Sequence, residues 1–395
     1  MIRSCIAVLM CLVLGGCAAS ETARAQLLRS GSVASSEAPS FDDYRRTTRA
    51  QLLRERSFQS SDTEAELSWN GPSEWRPEGR TRGGRYRKGI LLVHGLGDSP
   101  WSFHDIAPEL ARNGFLVRTV LLPGHGTKPQ DLLNVSVDDW RRVVREQAAA
   151  MLGDVDELYL GGFSTGANLV AEHAYQDPRI AGLALFSPGF KSTSLDWAAP
   201  ALARVRPWLV EPDGEKTSQN VVRYMTVPTN GLAQFSLSSR SARQLLESRP
   251  YDKPVFMVVA ENDSVLDTRY LAETFERAFT HPRSRLIWYG RPPALQSTRV
   301  LVRNDRLPDL RISQFSHMGV MFAPRNAMYG AEGSLRICLN GRDRSAARAC
   351  EAGKDVWYSD WGYREKGKVH ARLTFNPYFS WQTSIMNSVL AAPDT

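Results

Sequence analysis

The chain has only five cysteines in 395 residues, no HExxH signature, and no apolar run long enough to cross a bilayer. Neither the cysteine spacing nor the neighbouring histidines suggests a metal site. The net charge of +7 is spread along the sequence and never gathers into a basic block with interleaved aromatics, so no nucleic-acid partner is expected. Scattered basic residues read as a solvated surface. Internal repeats are absent, and the one compositionally biased stretch lies near the N-terminus. The residues that remain, 42% hydrophobic and 23% charged, are those of a globular protein with a sizeable core.

At the N-terminus, Arg3 precedes a short apolar run at residues 6–13 with the layout of a secretory signal. That run ends in Leu14-Gly15-Gly16-Cys17, which resembles the lipobox of bacterial lipoproteins. The resemblance implies removal of a signal at residues 1–16 and a lipid-modified Cys17 as the mature N-terminus. Ala18, where an Asp would retain such proteins elsewhere, implies the periplasmic face of the outer membrane. An uncleaved anchor and plain secretion are the other two readings. With Cys5 and Cys11 lost with the signal and Cys17 lipidated, Cys338 and Cys350 remain, and an even pair in an oxidising compartment suggests a disulfide. The alternative is two free buried thiols.

From residue 17 to about 64 the chain is rich in Ala, Ser, Thr and Arg and reads as a tether, with a short helix expected over 41–56. Beyond it, apolar runs at 89–93, 116–122, 158–160, 180–186 and 255–260 suit strands buried on both faces. Helix-like stretches at 102–113, 137–152, 166–176 and 268–279 alternate with them. This alternation predicts an α/β fold over residues 65–395, with a mainly parallel central sheet flanked by helices. Three segments depart from it. Residues of about 189–250 carry amphipathic pieces without a convincing central strand and read as an inserted helical cap. About 291–310 reads as an inserted hairpin, and about 323–376 as an insertion bearing both remaining cysteines.

Gly162-Phe163-Ser164-Thr165-Gly166 stands between a strand-like and a helix-like segment. In that context a strained turn lifts the serine oxygen clear of the backbone, and glycines on either side permit the close approach. A serine hydroxyl is a weak nucleophile at neutral pH. It needs a histidine base within reach and a carboxylate to hold the imidazole in the right tautomer, in the chain order serine, acid, histidine. That order leaves His281, His317 and His370. His281 ends a helical stretch before Pro282, and His370 lies in an alternating segment read as surface. His317 follows a strand-like run at 311–315 and precedes Gly319, so it is the expected base. Asp263 is the expected acid, because it follows the buried strand at 254–260, where active-site groups collect in parallel sheets. Asp267 reads as a helix N-cap, and Glu261 is a weaker rival. For the oxyanion, the expected donors are the backbone N–H groups of Thr165 and of Leu96, the latter in the loop His94-Gly95-Leu96-Gly97-Asp98.

Three motifs in this order, Leu92-Val93-His94-Gly95-Leu96-Gly97-Asp98-Ser99-Pro100, Leu121-Leu122-Pro123-Gly124-His125-Gly126-Thr127 and Gly162-Phe163-Ser164-Thr165-Gly166, resemble the bacterial carboxylesterase, monoacylglycerol lipase and lysophospholipase group of α/β hydrolases. The resemblance covers about residues 65–290 and the region of His317. It implies hydrolysis of a small-molecule acyl ester through an acyl-enzyme, a helical cap over the acyl pocket, and no cofactor. Two departures are the long interval between acid and histidine and the cysteine-bearing segment after His317. An aminopeptidase and a non-catalytic envelope-binding lipoprotein on the same scaffold are the competing readings.

Overall fold

The computed structural model describes residues 40–79, 83–193, 198–211, 218–295 and 297–391. The expected signal, Cys17 and the first part of the tether lie outside the described residues. The folded unit begins at Ser40 and not near residue 65. Helix α1 (Phe41–Glu55) starts with a capping box between Ser40 and Asp43, and α2 (Thr63–Asn70) is capped by Asp62. Leu52, Phe58 and Leu67 from this region pack on Leu121, so the segment from residue 40 is part of the body. A buried ion pair reinforces it: the Arg56 guanidinium donates to Glu66 at 2.6 and 2.8 Å, to the Gly126 carbonyl and to the Val221 carbonyl.

An eight-stranded sheet forms the centre, in the order β1-β3-β2-β4-β5-β6-β7-β8. Its strands are β1 (Glu74–Trp75), β2 (Tyr86–Val93), β3 (Phe115–Val120), β4 (Val155–Phe163), β5 (Ile180–Phe186), β6 (Val255–Ala260), β7 (Arg285–Tyr289) and β8 (Val300–Arg303). Only β1 is antiparallel to its neighbour. The continuous apolar runs follow from this geometry. In β2, Leu91 and Val93 enter the core on one face, while Ile90 and Leu92 enter the core on the other.

The first face is covered by α4 (Val137–Asp154), α5 (Thr165–Gln176), α6 (Thr229–Ser248) and α7 (Thr268–Ala278), and the second by α3 (Ile106–Arg112) and α9 (Phe379–Leu390). Helix α4 illustrates the local logic. Ser136 and Asp139 form a capping box at its start, and Val137, Trp140, Val144, Ala148 and Met151 make one buried stripe at helical spacing.

Two of the expected insertions have different structures. Residues 291–310 do not form a hairpin: they supply β8, which extends the sheet in parallel, with Leu286 opposite Val300 and Tyr289 opposite Arg303. The run at 311–315 is not a sheet strand either, because Arg311 adopts φ 53° after a tight turn at Pro308–Leu310 and only Ile312 forms isolated bridges. Of the expected cap at 189–250, α6 is partly a flanking helix, since Ala242 and Leu246 join the core against the sheet. The segment at 323–376 holds α8 (Arg344–Glu351) and a two-stranded parallel unit of β9 (Trp357–Ser359) and β10 (His370–Arg372). Cys338 and Cys350 are joined in a disulfide.

Candidate active site

The chain runs from β2 outward to β3 and then returns to the other side of β2 as β4, so the strand order reverses between β2 and β4. Such a switch point opens a crevice at the carboxyl ends of the strands, where ligands of parallel sheets bind. Ser164 follows β4 at this point, and the loop from His94 follows β2.

Ser164 has φ 53° and ψ −114°, a conformation that L side chains rarely adopt. The turn is enforced by close packing. A Cβ on Gly166 would lie 2.0 Å from the Val93 carbonyl oxygen, and one on Gly162 would lie 2.5 Å from the backbone of Gly166 and Ala167. Both glycines of the motif are therefore required by contact with backbone. The Ser164 N–H donates to Phe186 O at 3.0 Å, and its carbonyl accepts from Ala167 and Gly189. These bonds hold the strained residue from both sides.

His317 lies against Phe163, the neighbour of Ser164, with ring centroids 5.0 Å apart. Its Nδ1 is 2.6 Å from Asp263 Oδ2. The other oxygen of Asp263 accepts from the Val265 and Leu266 N–H groups at 2.8 and 3.2 Å, so both lone-pair directions are occupied and the carboxylate is fixed. With its side chain fully buried, Asp263 meets the imidazole in a water-poor setting where the charge-assisted bond is strong. Ser164 Oγ makes no hydrogen bond among the described residues. In a free enzyme that bond is commonly long and tightens in the substrate complex.

The loop after β2 packs directly on the serine, since a Cβ on Gly95 would meet Ser164 Cβ at 3.2 Å. Gly97 in the same loop has φ +75°. Among the described residues the backbone N–H groups of Leu96 and Thr165 donate to no protein group, which leaves both open to an oxyanion. His94 fixes this loop from below. Its Nδ1 lies 2.8 Å from the Gly95 carbonyl and its Nε2 accepts from the Leu122 N–H at 3.0 Å, which assigns the neutral tautomer with the proton on Nδ1. Burial, then the neighbouring His125, push its pKa well below the ordinary value, so His94 is a structural latch and not a second base.

The other sequence candidates fall away. Asp267 caps α7 through the Tyr270 N–H and pairs with Lys191. Glu261 pairs with Arg291. His281 accepts from the Arg283 N–H. His370 is buried, in contrast to its expected surface placement, because β10 packs inward and brings Nε2 within 3.3 Å of Ser313 Oγ.

Three charged residues around the site were not expected. Asp98 is buried beside the Arg223 guanidinium at 3.4 Å; burial raises its pKa, while the charges of Arg223 and His317 lower it. Arg223 also contacts Met318 Sδ and so spans the loop after β2 and the loop of His317. Asp360, 1% exposed, accepts from the Ser264 N–H at 2.9 Å and from the His317 N–H at 3.4 Å. Its position in the cysteine-bearing segment, far from any motif, gave the sequence no signal for this role.

A model of the serine aminopeptidase S33 family matches residues 84–290. A thermostable monoacylglycerol lipase of Bacillus sp. (strain H-257) is 32% identical over 95 residues, which are 24% of this chain and 38% of that enzyme. An uncharacterized protein of Mycobacterium tuberculosis (strain ATCC 25618 / H37Rv) is 29% identical over 133 residues, 31% of this chain and again 38% of the relative. The match thus spans well under half the length of these relatives. Among solved structures, one described with the metagenome-derived lipolytic enzymes LipS and LipT has a TM-score of 0.46 at 24% identity, covering 55% of this chain and 86% of that one. With the matched region spanning half of its length, including the loop after β2, the elbow and Asp263, this chain belongs to the serine aminopeptidase S33 family of α/β hydrolases.

Proposed function

We propose that this protein is a serine esterase that cleaves lipid-like acyl esters through an acyl-enzyme, with Ser164 as nucleophile, His317 as base and Asp263 as the orienting acid. The observation that carries this reading is the 2.6 Å Asp263–His317 bond beside a strained serine at the sheet's switch point. Ser164 Oγ attacks the ester carbonyl while His317 Nε2 takes its proton. Asp263 holds the Nδ1 proton and stabilises the imidazolium that forms. The negative oxygen of the tetrahedral intermediate accepts from the Leu96 and Thr165 N–H groups, each worth about 10²–10³ in kcat. Collapse expels the alcohol with the proton from His317, and water repeats the sequence to release the acid.

A lipid-like substrate is favoured by the similarity to a monoacylglycerol lipase and by the cap, where Val205, Leu209 and Val210 are exposed beside Arg204 and Arg206. Lipid modification of Cys17 and residence on the periplasmic face of the outer membrane belong to the same proposal, since both would place the enzyme where acyl glycerols occur. The family's name favours an aminopeptidase as the second reading. Among the described residues, however, Asp98, Asp263 and Asp360 at the site are each engaged, and none is free to hold a substrate α-amine.

A panel of nitrophenyl esters, monoacylglycerols and aminoacyl anilides separates these readings. Ester turnover that falls by at least about 10³-fold in Ser164→Ala, with anilides untouched, is expected. Preferential anilide cleavage would establish the peptidase.

A further inference from the structure

Asp263 and His317 stand on separate loops, after β6 and after β8, and their catalytic value depends on the spacing between those loops. Asp360 touches both. One carboxylate oxygen accepts from the N–H of Ser264, next to Asp263 in the chain, and the other accepts from the N–H of His317 itself. The carboxylate is therefore a bridge between the acid loop and the histidine loop. Its own backbone is fixed independently. The Asp360 carbonyl accepts from Asn340 Nδ2 at 3.0 Å and from Ser359 Oγ, while β9, just before it, pairs with β10. The side chains of Cys338, Cys350, Val356 and Ala371 cluster beneath this unit.

Accepting on both oxygens calls for the carboxylate, since an amide offers one acceptor oxygen and a nitrogen that only donates, and it places a second buried charge beside Asp263. Asp360 carries that charge at a cost, since burial first and then the charge of Asp263 push its pKa up to about 6, against the Ser264 hydrogen bond and Arg372. The groups facing it are Asp263 on the acid loop, His317 on the histidine loop and Arg372 on β10, with Arg223 facing Arg372 in turn. Above about pH 6 the carboxylate form, which accepts from both N–H groups, therefore prevails.

We propose that Asp360 is a positioning residue for the triad: its carboxylate locks the acid and histidine loops in register. The proposal rests on the esterase reading of Ser164, His317 and Asp263. It also assigns a role to the segment at 323–376, which lies wholly beyond the residues shared with the family model.

The test is Asp360→Asn in the full chain, read in two ways. Ester kinetics should show kcat reduced about 10- to 100-fold with KM within about twofold, and an acid limb displaced from that of the wild type. Separately, the amide proton resonance of Ser264 should shift in the wild-type protein as pH falls through about 6, where the carboxylate that accepts from it gains a proton, and Asp360→Asn should lack that shift. The resonance requires no turnover, so it reports on Asp360 even if the esterase reading fails. A Ser264 amide resonance that does not move over that range in the wild-type protein would overturn the proposal whether or not the variant folds. Unchanged kcat and an unchanged acid limb in a folded variant would overturn it equally.

Discussion

Ser164 is held in a conformation that costs of order 1–3 kcal/mol, sustained by the packing of Gly162 and Gly166 against backbone and by the hydrogen bonds of its own N–H and carbonyl. Strain of this kind persists where the surroundings over-determine it. The two aspartates of the loop after β6 show how burial separates roles within five residues. Asp263 is buried against His317, whereas Asp267 caps α7 at the surface. Asp263→Asn should cost about 10⁴-fold in kcat, because the amide favours the wrong imidazole tautomer, with little loss of stability. Asp267→Asn should leave kcat unchanged and cost under about 1 kcal/mol in denaturant unfolding, since Asn also caps well. Equal effects of the two substitutions on kcat would break the assignment.

At the scale of elements, the runs that became β5 and β6 were legible to the residue because both faces of each strand are buried. The glycines of the elbow and the cap role of Asp267 were legible for a related reason: each is a local requirement with a local sequence signature. Strand β8 was not legible, since Val300–Arg303 is a four-residue edge strand whose pairing with β7 is decided by tertiary contact. Asp360 was hidden for the same reason, being brought to the triad by a fold that no periodicity encodes. The helices α1 and α2 were read too weakly: polar composition masked the buried Arg56–Glu66 pair that joins them to Gly126 and Val221. Glu66→Ala strands a guanidinium that is 1% exposed, so it should lower stability by about 3–5 kcal/mol. Because Val221 sits two residues from Arg223, the same variant should also raise KM. A loss below about 1 kcal/mol would show that the pair is dispensable.

Over the whole molecule, two regions beyond the family match, residues 40–70 and 323–376, pack onto the body that carries the sheet and elbow. The first fastens the loops around Gly126 and Val221, and the second brings Asp360 to the loops of Asp263 and His317. On the proposed reading, the chemistry of the protein converges on Ser164. Labelling with a fluorophosphonate probe, followed by peptide mass analysis, tests that convergence most directly. Stoichiometric modification of Ser164 in the wild-type protein, lost in Ser164→Ala and slowed at least about 10²-fold in His317→Ala, is the predicted result. Equal labelling of wild type and Ser164→Ala, or modification at another residue, would contradict it.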